Sequence, residues 1–396
     1  MSSAEKLGVY LSVPFCRAKC SFCNFASGVG DGTAMERYVG QLRAEIAGAR
    51  KRAAELGAEL PQRVDTVYLG GGTPSLLSPS QLERIFAALR SVFALDDDAE
   101  ITLEAAPGQI ADDVLDAAMR LGVNRISLGV QSFIDRECAA VGRLHTGRDC
   151  VREIVRLRAA GVSEVGADLI AGLPYQTPES WQTSLQTATE VGLTHLSVYM
   201  LEVDEDSRLG REVLAGGQRF HAPGVPADEA SAAMYEAACA WLPAHGFAQY
   251  EISNFALSDG NGSHRSRHNV KYWQRAPYVG FGLDAHSMLY THQGAARFAN
   301  ADELSAYPGA TETNVVSPRE AFDEAVFLGL RMNEGIAAAA LRAEFRREWV
   351  GAFEECAYDL VREGLMAQEY GHWRLTLRGR LVSNEVFGAL LETVAA

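Results

Sequence analysis

Leu7-Gly-Val-Tyr-Leu-Ser-Val13 runs through Pro14-Phe15 into Cys16-Arg-Ala-Lys-Cys20-Ser-Phe-Cys23. An apolar, β-branched run of this length that stops at a proline reads as a buried strand. The loop after it holds three of the chain's seven cysteines in a C-x3-C-x2-C pattern. Three thiolates on one short loop can each take one iron of a cubane while the backbone wraps a corner. A closed four-iron site uses four cysteines, so a fourth iron here is left for an exogenous ligand, as open positions are in catalytic metal centres. Zinc is the competing metal, but it wants a fourth Cys or His nearby. Asn24, Phe25 and Ala26 follow instead, and the nearest histidine is His145. Cys138, Cys150, Cys239 and Cys356 are scattered through helical-looking segments and read as small buried hydrophobes. An odd count without a secretion signal does not read as a disulfide framework.

From residue 7 to about 202 the pattern of that first strand recurs. Strands are predicted at Leu7–Val13, Val64–Leu69, Glu100–Ala105, Arg125–Val130, Val165–Ala171 and His195–Leu201, with amphipathic helical stretches between them. Strict alternation implies a parallel sheet with helices outside. The residues with unusual chemistry fall at strand C-terminal ends, where (β/α) barrels build their sites. The expected fold is therefore α/β, a partial (β/α)6 TIM-like barrel, with a doubly wound open sheet as the alternative. Residues 1–202 form the core in this reading and 203–316 a connecting region. Residues 317–396, helices followed by two short strands and a last helix, read as an α+β winged-helix-like domain.

Composition bounds the function. With 47% hydrophobic and 22% charged residues the chain is ordinary for a soluble globular protein, and no window approaches the ~20 apolar residues that span a bilayer. A cytoplasmic protein without stable membrane insertion is expected. The formal net charge of −15 argues against a nucleic-acid partner, winged helix notwithstanding.

Further motifs follow the later strands. Gly70-Gly71-Gly72-Thr73-Pro74 lets backbone N–H groups approach a polar ligand with no side chain in the way. Glu104 ends the third strand and can bond a ribose hydroxyl, or be an ordinary exposed strand-end acid. The loop with Tyr10 and Pro14-Phe15 resembles the radical S-adenosylmethionine (SAM) superfamily, and within it the coproporphyrinogen-oxidase-like group. The resemblance is ordered and runs over nearly the whole chain. It implies a 4Fe–4S cluster on Cys16, Cys20 and Cys23, whose open iron is chelated by SAM; reduction then yields a 5′-deoxyadenosyl radical. It also implies SAM contacts from Tyr10, Phe22, Gly71, Gly72, Thr73, Glu104, Gln131, Arg143, Asp168 and Met200, and an electron donor such as flavodoxin or ferredoxin. Two departures stand out. Ala106 replaces an Asn common in the family, and Leu283-Asp284 replace small residues before Ala285-His286-Ser287.

The oxygen-independent coproporphyrinogen III oxidase continues its loop to a further cysteine and carries an N-terminal extension; here Phe25 stands at that position. Cys23-Asn24-Phe25 and His268-Asn269-Val270-Lys271-Tyr272-Trp273 are instead similar to the heme-chaperone branch, HemW. Between Ser263 and Arg275 lie Arg265, Arg267, Lys271 and Arg275 and no acid. A heme has a flat apolar ring, two propionates and an iron seeking an axial ligand. His268 is the expected ligand, with His264 and His286 as rivals, Tyr272 or Trp273 stacking and the cations pairing with propionates. The plain alternative is a basic turn with its aromatics in the core. The expected function is a heme chaperone delivering heme to an acceptor protein. The alternatives are oxidative decarboxylation of coproporphyrinogen III and a radical reaction on heme itself.

Overall fold

The computed structural model describes residues 6–258, 264–309 and 312–395. Ser263, the first residue of the basic segment, lies outside them. Six strands form the centre: β1 (Leu7–Val13), β2 (Arg63–Gly71), β3 (Ala94–Ala105), β4 (Arg125–Gln131), β5 (Glu164–Ala171) and β6 (His195–Met200). They are parallel and neighbours in chain order. A doubly wound sheet would reverse its order at a switch point. None occurs, so the sheet winds one way, as a barrel does.

The helices between these strands are α1 (Gly32–Glu55), α2 (Pro79–Val92), α3 (Asp112–Leu121), α4 (Gly147–Ala159) and α5 (Pro178–Glu190). Their starts are written locally. Ser78 with Gln81 and Thr146 with Asp149 form capping boxes, and Pro79 and Pro178 occupy first-turn positions. On α1, Tyr38, Leu42, Ile46, Ala49 and Ala53 recur at helical spacing and are buried. Each such Leu or Ile contributes roughly 1.5–3 kcal/mol by burial.

Along the strands apolar and polar residues alternate with period two. Leu7, Val9, Leu11, Val67, Leu69, Leu103, Ile126 and Leu196 belong to the main core. The alternate residues are polar and meet across the sheet: Tyr68 beside Thr102, Thr102 beside Arg125, Glu104 beside Ser127, Asp168 beside Ser197. They form a hydrophilic interior.

The stretch 203–316 does more than connect. After a helix at Asp228–Ala244 it supplies β7 (Phe247–Gln249), β8 (Asn254–Leu257), β9 (Tyr278–Phe281), β10 (His286–Thr291), β11 (Gly294–Ala299) and β12 (Glu312–Val316). All join the same sheet, in the order β12-β11-β10-β9-β1-β2-β3-β4-β5-β6-β8-β7. β9 lies parallel to β1, while β7, β8 and β10–β12 pair antiparallel. β7 and β8 form a hairpin. Four-residue strands whose partners lie far off in sequence carry too short a pattern to be read locally.

From Pro318 onward the chain builds a separate core around Phe322, Val326, Phe353, Leu360 and Trp373. Three helices, Pro318–Arg331, Ala338–Glu344 and Arg347–Arg362, precede the hairpin Met366–Glu369 and His372–Leu375. No helix among the described residues is long and apolar enough to cross a membrane.

Candidate functional site

A cavity of about 430 Å³ opens at the C-terminal end of the barrel strands. Cys16, Cys20 and Cys23 line it together, with Phe22 between them and Met200 opposite at the end of β6. Among the described residues no three acid, histidine or cysteine side chains converge on a single-ion position. Zinc needs that convergence; a cubane instead spreads its ligands over separate irons. Polar side chains already attend the sulfurs: Thr73 donates to Cys16 Sγ at 3.5 Å, and Arg143 Nη1 to Cys20 Sγ at 3.4 Å. Arg143 also donates to Gly129 O, and its buried Nε has no hydrogen-bond partner. Cys138 and Cys150 are fully buried, while Cys239 and Cys356 are partly so.

Gly71 and Gly72 form the wall beside the sulfurs. Gly71 has φ of +99°, a conformation side chains avoid. A Cβ on Gly72 would lie 2.7 Å from both Phe15 N and Phe15 O. Only glycine lets β2 pass this close to the cysteine loop. Glu104 and Gln131 line the cavity, Gln131 at φ +68°. Asp168 faces them from β5. Tyr10 does not line this cavity; it stacks on Tyr68, centroids 6.0 Å apart, and faces a neighbouring cavity across Gly71. Ala106 lines the wall, where an amide would have added a polar group.

Two acids give the cavity its electrostatics. Burial pushes Glu104 up to about 7; the hydrogen bond from Tyr68 Oη (2.7 Å) opposes this and the Asp168 charge adds to it. Burial likewise raises Asp168 to about 6, against hydrogen bonding by Ser197 and the Arg143 charge. Carboxyls held this way favour a ligand that brings positive charge and donors. The sulfonium, amino group and ribose hydroxyls of SAM do so, and the three-thiolate loop fits the cluster beside it.

These shifts predict a pH response. Both acids hold protons more tightly folded than unfolded, so stability of the cofactor-free chain is lost as pH rises from the ordinary carboxyl range through about 7. The melting temperature is expected to fall between about pH 5 and about pH 8, and Glu104→Gln to flatten that fall. An identical profile in Glu104→Gln would show that the carboxyl is not the cause.

The His-Asn-x-x-Tyr-Trp segment lies at the opposite, N-terminal end of the strands. It forms the helix Arg267–Trp273, which plugs the barrel. Ser266 accepts from Asn269 N, and Glu100 of β3 accepts from Arg267 N (3.0 Å) and His268 N (2.9 Å). The first amides of the helix are thereby satisfied. His268 is 1% exposed. Its Nδ1 shares a hydrogen bond with Thr66 Oγ1 at 2.8 Å and its Nε2 with Tyr272 Oη at 2.8 Å. Burial lowers its pKa to about 3.

The expectation that His268 ligates heme therefore meets a ring with neither nitrogen free. The cations are committed as well. Arg265 pairs with Glu334 (2.7 Å), Lys271 with Asp65 (2.8 Å), Arg267 with Asp65 (3.5 Å) and Arg275 with Glu344 (3.1 Å). Trp273 lies under Arg331, 4.3 Å from ring centroid to guanidinium. In this structure acids from distant strands and helices neutralise the segment, and it closes the barrel. His264 is held by Glu164 at 2.8 Å.

Sequence reasoning missed Tyr68, Ser127, Ser197, Tyr199 and, deeper in the same cavity, Arg125 and His195. Polar residues alternating with apolar ones on strands that helices cover were the available signal. A barrel filled with side chains would be apolar there.

The Radical SAM superfamily profile matches residues 10–188 and the HemN C-terminal domain profile residues 316–382. The heme chaperone HemW of Bacillus subtilis is 32% identical over 391 residues, covering 96% of this chain and 98% of that one. HemW of Mycobacterium tuberculosis is 33% identical over 398 residues, covering 98% and 95%. The solved coproporphyrinogen III oxidase HemN of Escherichia coli superposes with a TM-score of 0.80 at 23% identity, over 98% of this chain and 91% of that one. At that identity the likeness shows the fold. Cysteine loop, glycine wall and full-length similarity converge, and the chain belongs to the HemW family within the radical SAM superfamily.

Proposed function

We propose that this chain is a cytoplasmic heme chaperone, which binds heme and delivers it to an acceptor protein under the control of a 4Fe–4S cluster and SAM. The carrying observation is similarity along nearly the whole chain to proteins named heme chaperones. Phe25 at the oxidase's extra cysteine position supports the same side.

In this reading Cys16, Cys20 and Cys23 hold the cluster, with Thr73 and Arg143 tuning the sulfurs through their hydrogen bonds. Gly71, Gly72 and Thr73 receive the methionine end of SAM, and Glu104 accepts from a ribose hydroxyl. Gln131, Arg143 and Asp168 supply further polar contacts, and Phe22 and Met200 pack against the cofactor. Tyr10 acts from behind Gly71. When bound and reduced, cluster and SAM supply one-electron chemistry. A flavodoxin- or ferredoxin-type donor fits that need.

The oxidase is the second reading, since the chain shares that enzyme's fold and a fold by itself does not separate the two functions. Protein with cluster, reductant and SAM is expected to bind hemin and to form no protoporphyrinogen IX from coproporphyrinogen III. Product analysis by chromatography checks this. Multiple turnovers that disappear in Cys16→Ala would make the chain an oxidase.

A further inference from the structure

With His268 enclosed, the question is where a heme would sit. A second cavity, of about 250 Å³, adjoins the first, and Phe25 and Gly71 wall both. Its inner side is aromatic. Tyr10, Tyr272 and Tyr278 line it, the last two edge to face with centroids 4.6 Å apart. At the mouth Phe25 stands 61% exposed, an unusual position for a large apolar ring. Lys19 donates to Phe25 O at 3.1 Å and so brings a cation to the same rim.

His286, the first residue of β10, stands at this mouth with its side chain 67% exposed. Its backbone is paired with Ala299, which fixes the side chain's origin on a rigid sheet. No hydrogen bond to its ring occurs among the described residues; its nearest charged neighbour is Asp284 Oδ1, 3.7 Å from Nε2. The other barrel histidines are spent: His145 on Val130 O and His195 on Tyr250 Oη, both buried. Asp284 has φ of +55°, the left-handed region, and backbone strain of this kind clusters at ligand sites.

We infer that heme is held in this second cavity, its macrocycle against Tyr10, Phe25 and Tyr272 and its iron bound by His286. The inference rests on the heme-chaperone reading above. Aromatic walls, an exposed imidazole with no hydrogen bond to its ring among the described residues and an edge open to water meet the needs of a metalloporphyrin. The open edge leaves the propionates in solvent near Lys19 and leaves room for an acceptor. Coordination uses the lone pair of one neutral ring nitrogen and displaces the chloride or water of free hemin. The other nitrogen keeps its proton and faces Asp284, an arrangement that raises ligand basicity.

The test is a hemin titration of the full chain, reconstituted without oxygen, as wild type, His286→Ala, His286→Met, Phe25→Ala and His268→Gln. Cluster iron and unfolding midpoint are measured on each sample. Metal sites lose ~10–100-fold in affinity when a mere supporting partner is removed, so His286→Ala is expected to weaken binding at least as much and to lose the histidine-ligated absorption. His286→Met is expected to bind hemin with a sulfur-ligated spectrum, which a residue of purely structural role would not produce; this variant decides if His286→Ala does not fold. Phe25→Ala should weaken binding with the spectrum unchanged. His268→Gln should keep spectrum and affinity while lowering the midpoint. Wild-type spectrum and affinity in His286→Ala and His286→Met would overturn the site and leave the chaperone reading standing. Failure of the wild type to take up hemin would overturn the chaperone reading, and the site with it.

Discussion

Alanine at Cys16, Cys20 or Cys23 is expected to strip the anaerobically reconstituted protein of most of its iron and of its brown thiolate-to-iron absorption, against about four irons per chain in the wild type. The three cysteines, the proposed cluster ligands, are the thiols that line the larger cavity. Removing one uncaps a second iron of a cubane that already has one without a protein ligand. No other thiol stands ready to replace it. Cys138 is fully buried and donates to Ser132 O at 3.1 Å, and burial pushes its thiol up to about 11. Cys150 is buried with its pKa raised for the same reason. Alanine at Cys138, Cys150, Cys239 or Cys356 should accordingly leave the iron content at the wild-type level. Full iron in Cys20→Ala would refute the cluster assignment.

Arg125→Ala is expected to destabilise the barrel by about 3–5 kcal/mol, the usual consequence of leaving a buried charge without its partner. Arg125 is 3% exposed. Its guanidinium lies 3.8 Å from Glu100 and 3.6 Å from Glu164 and donates to His264 O at 3.0 Å. Glu100, itself buried, carries the first two amides of the plug helix. Among the described residues no other cation pairs with Glu100, so without Arg125 the plug loses its anchor. The exposed pair Lys51–Glu55 on α1 is the control; Lys51→Ala should change stability by less than about 1 kcal/mol. The measurement is the shift in the barrel's denaturant midpoint. Equal effects from the two variants would mean that water reaches Glu100 and that the plug is not a desolvated closure.

Chain-local signals specified much of this protein. The cysteine loop is legible because its ligands lie within one turn of the backbone, and iron chemistry depends on that spacing. The six parallel strands are legible because each is long enough to show its pattern, and the helices between them because their caps are written within a few residues.

Tertiary structure decided which polar groups are free. Four cations and two imidazoles near one Tyr-Trp pair form the same string whether they await a ligand or are already paired. Thr66, which occupies His268, is 202 residues away in the chain, and Glu100, which caps the plug, is 168. Local composition carries no trace of partners so distant. Nor does it show that β9 pairs with β1 and that His286, only a rival candidate in the sequence, comes to the mouth of an aromatic cavity with Phe25 of the cysteine loop. Spacing sets what a short loop can ligate; burial and the identity of the facing residue set what an imidazole can do, and both arise only when the sheet closes on itself.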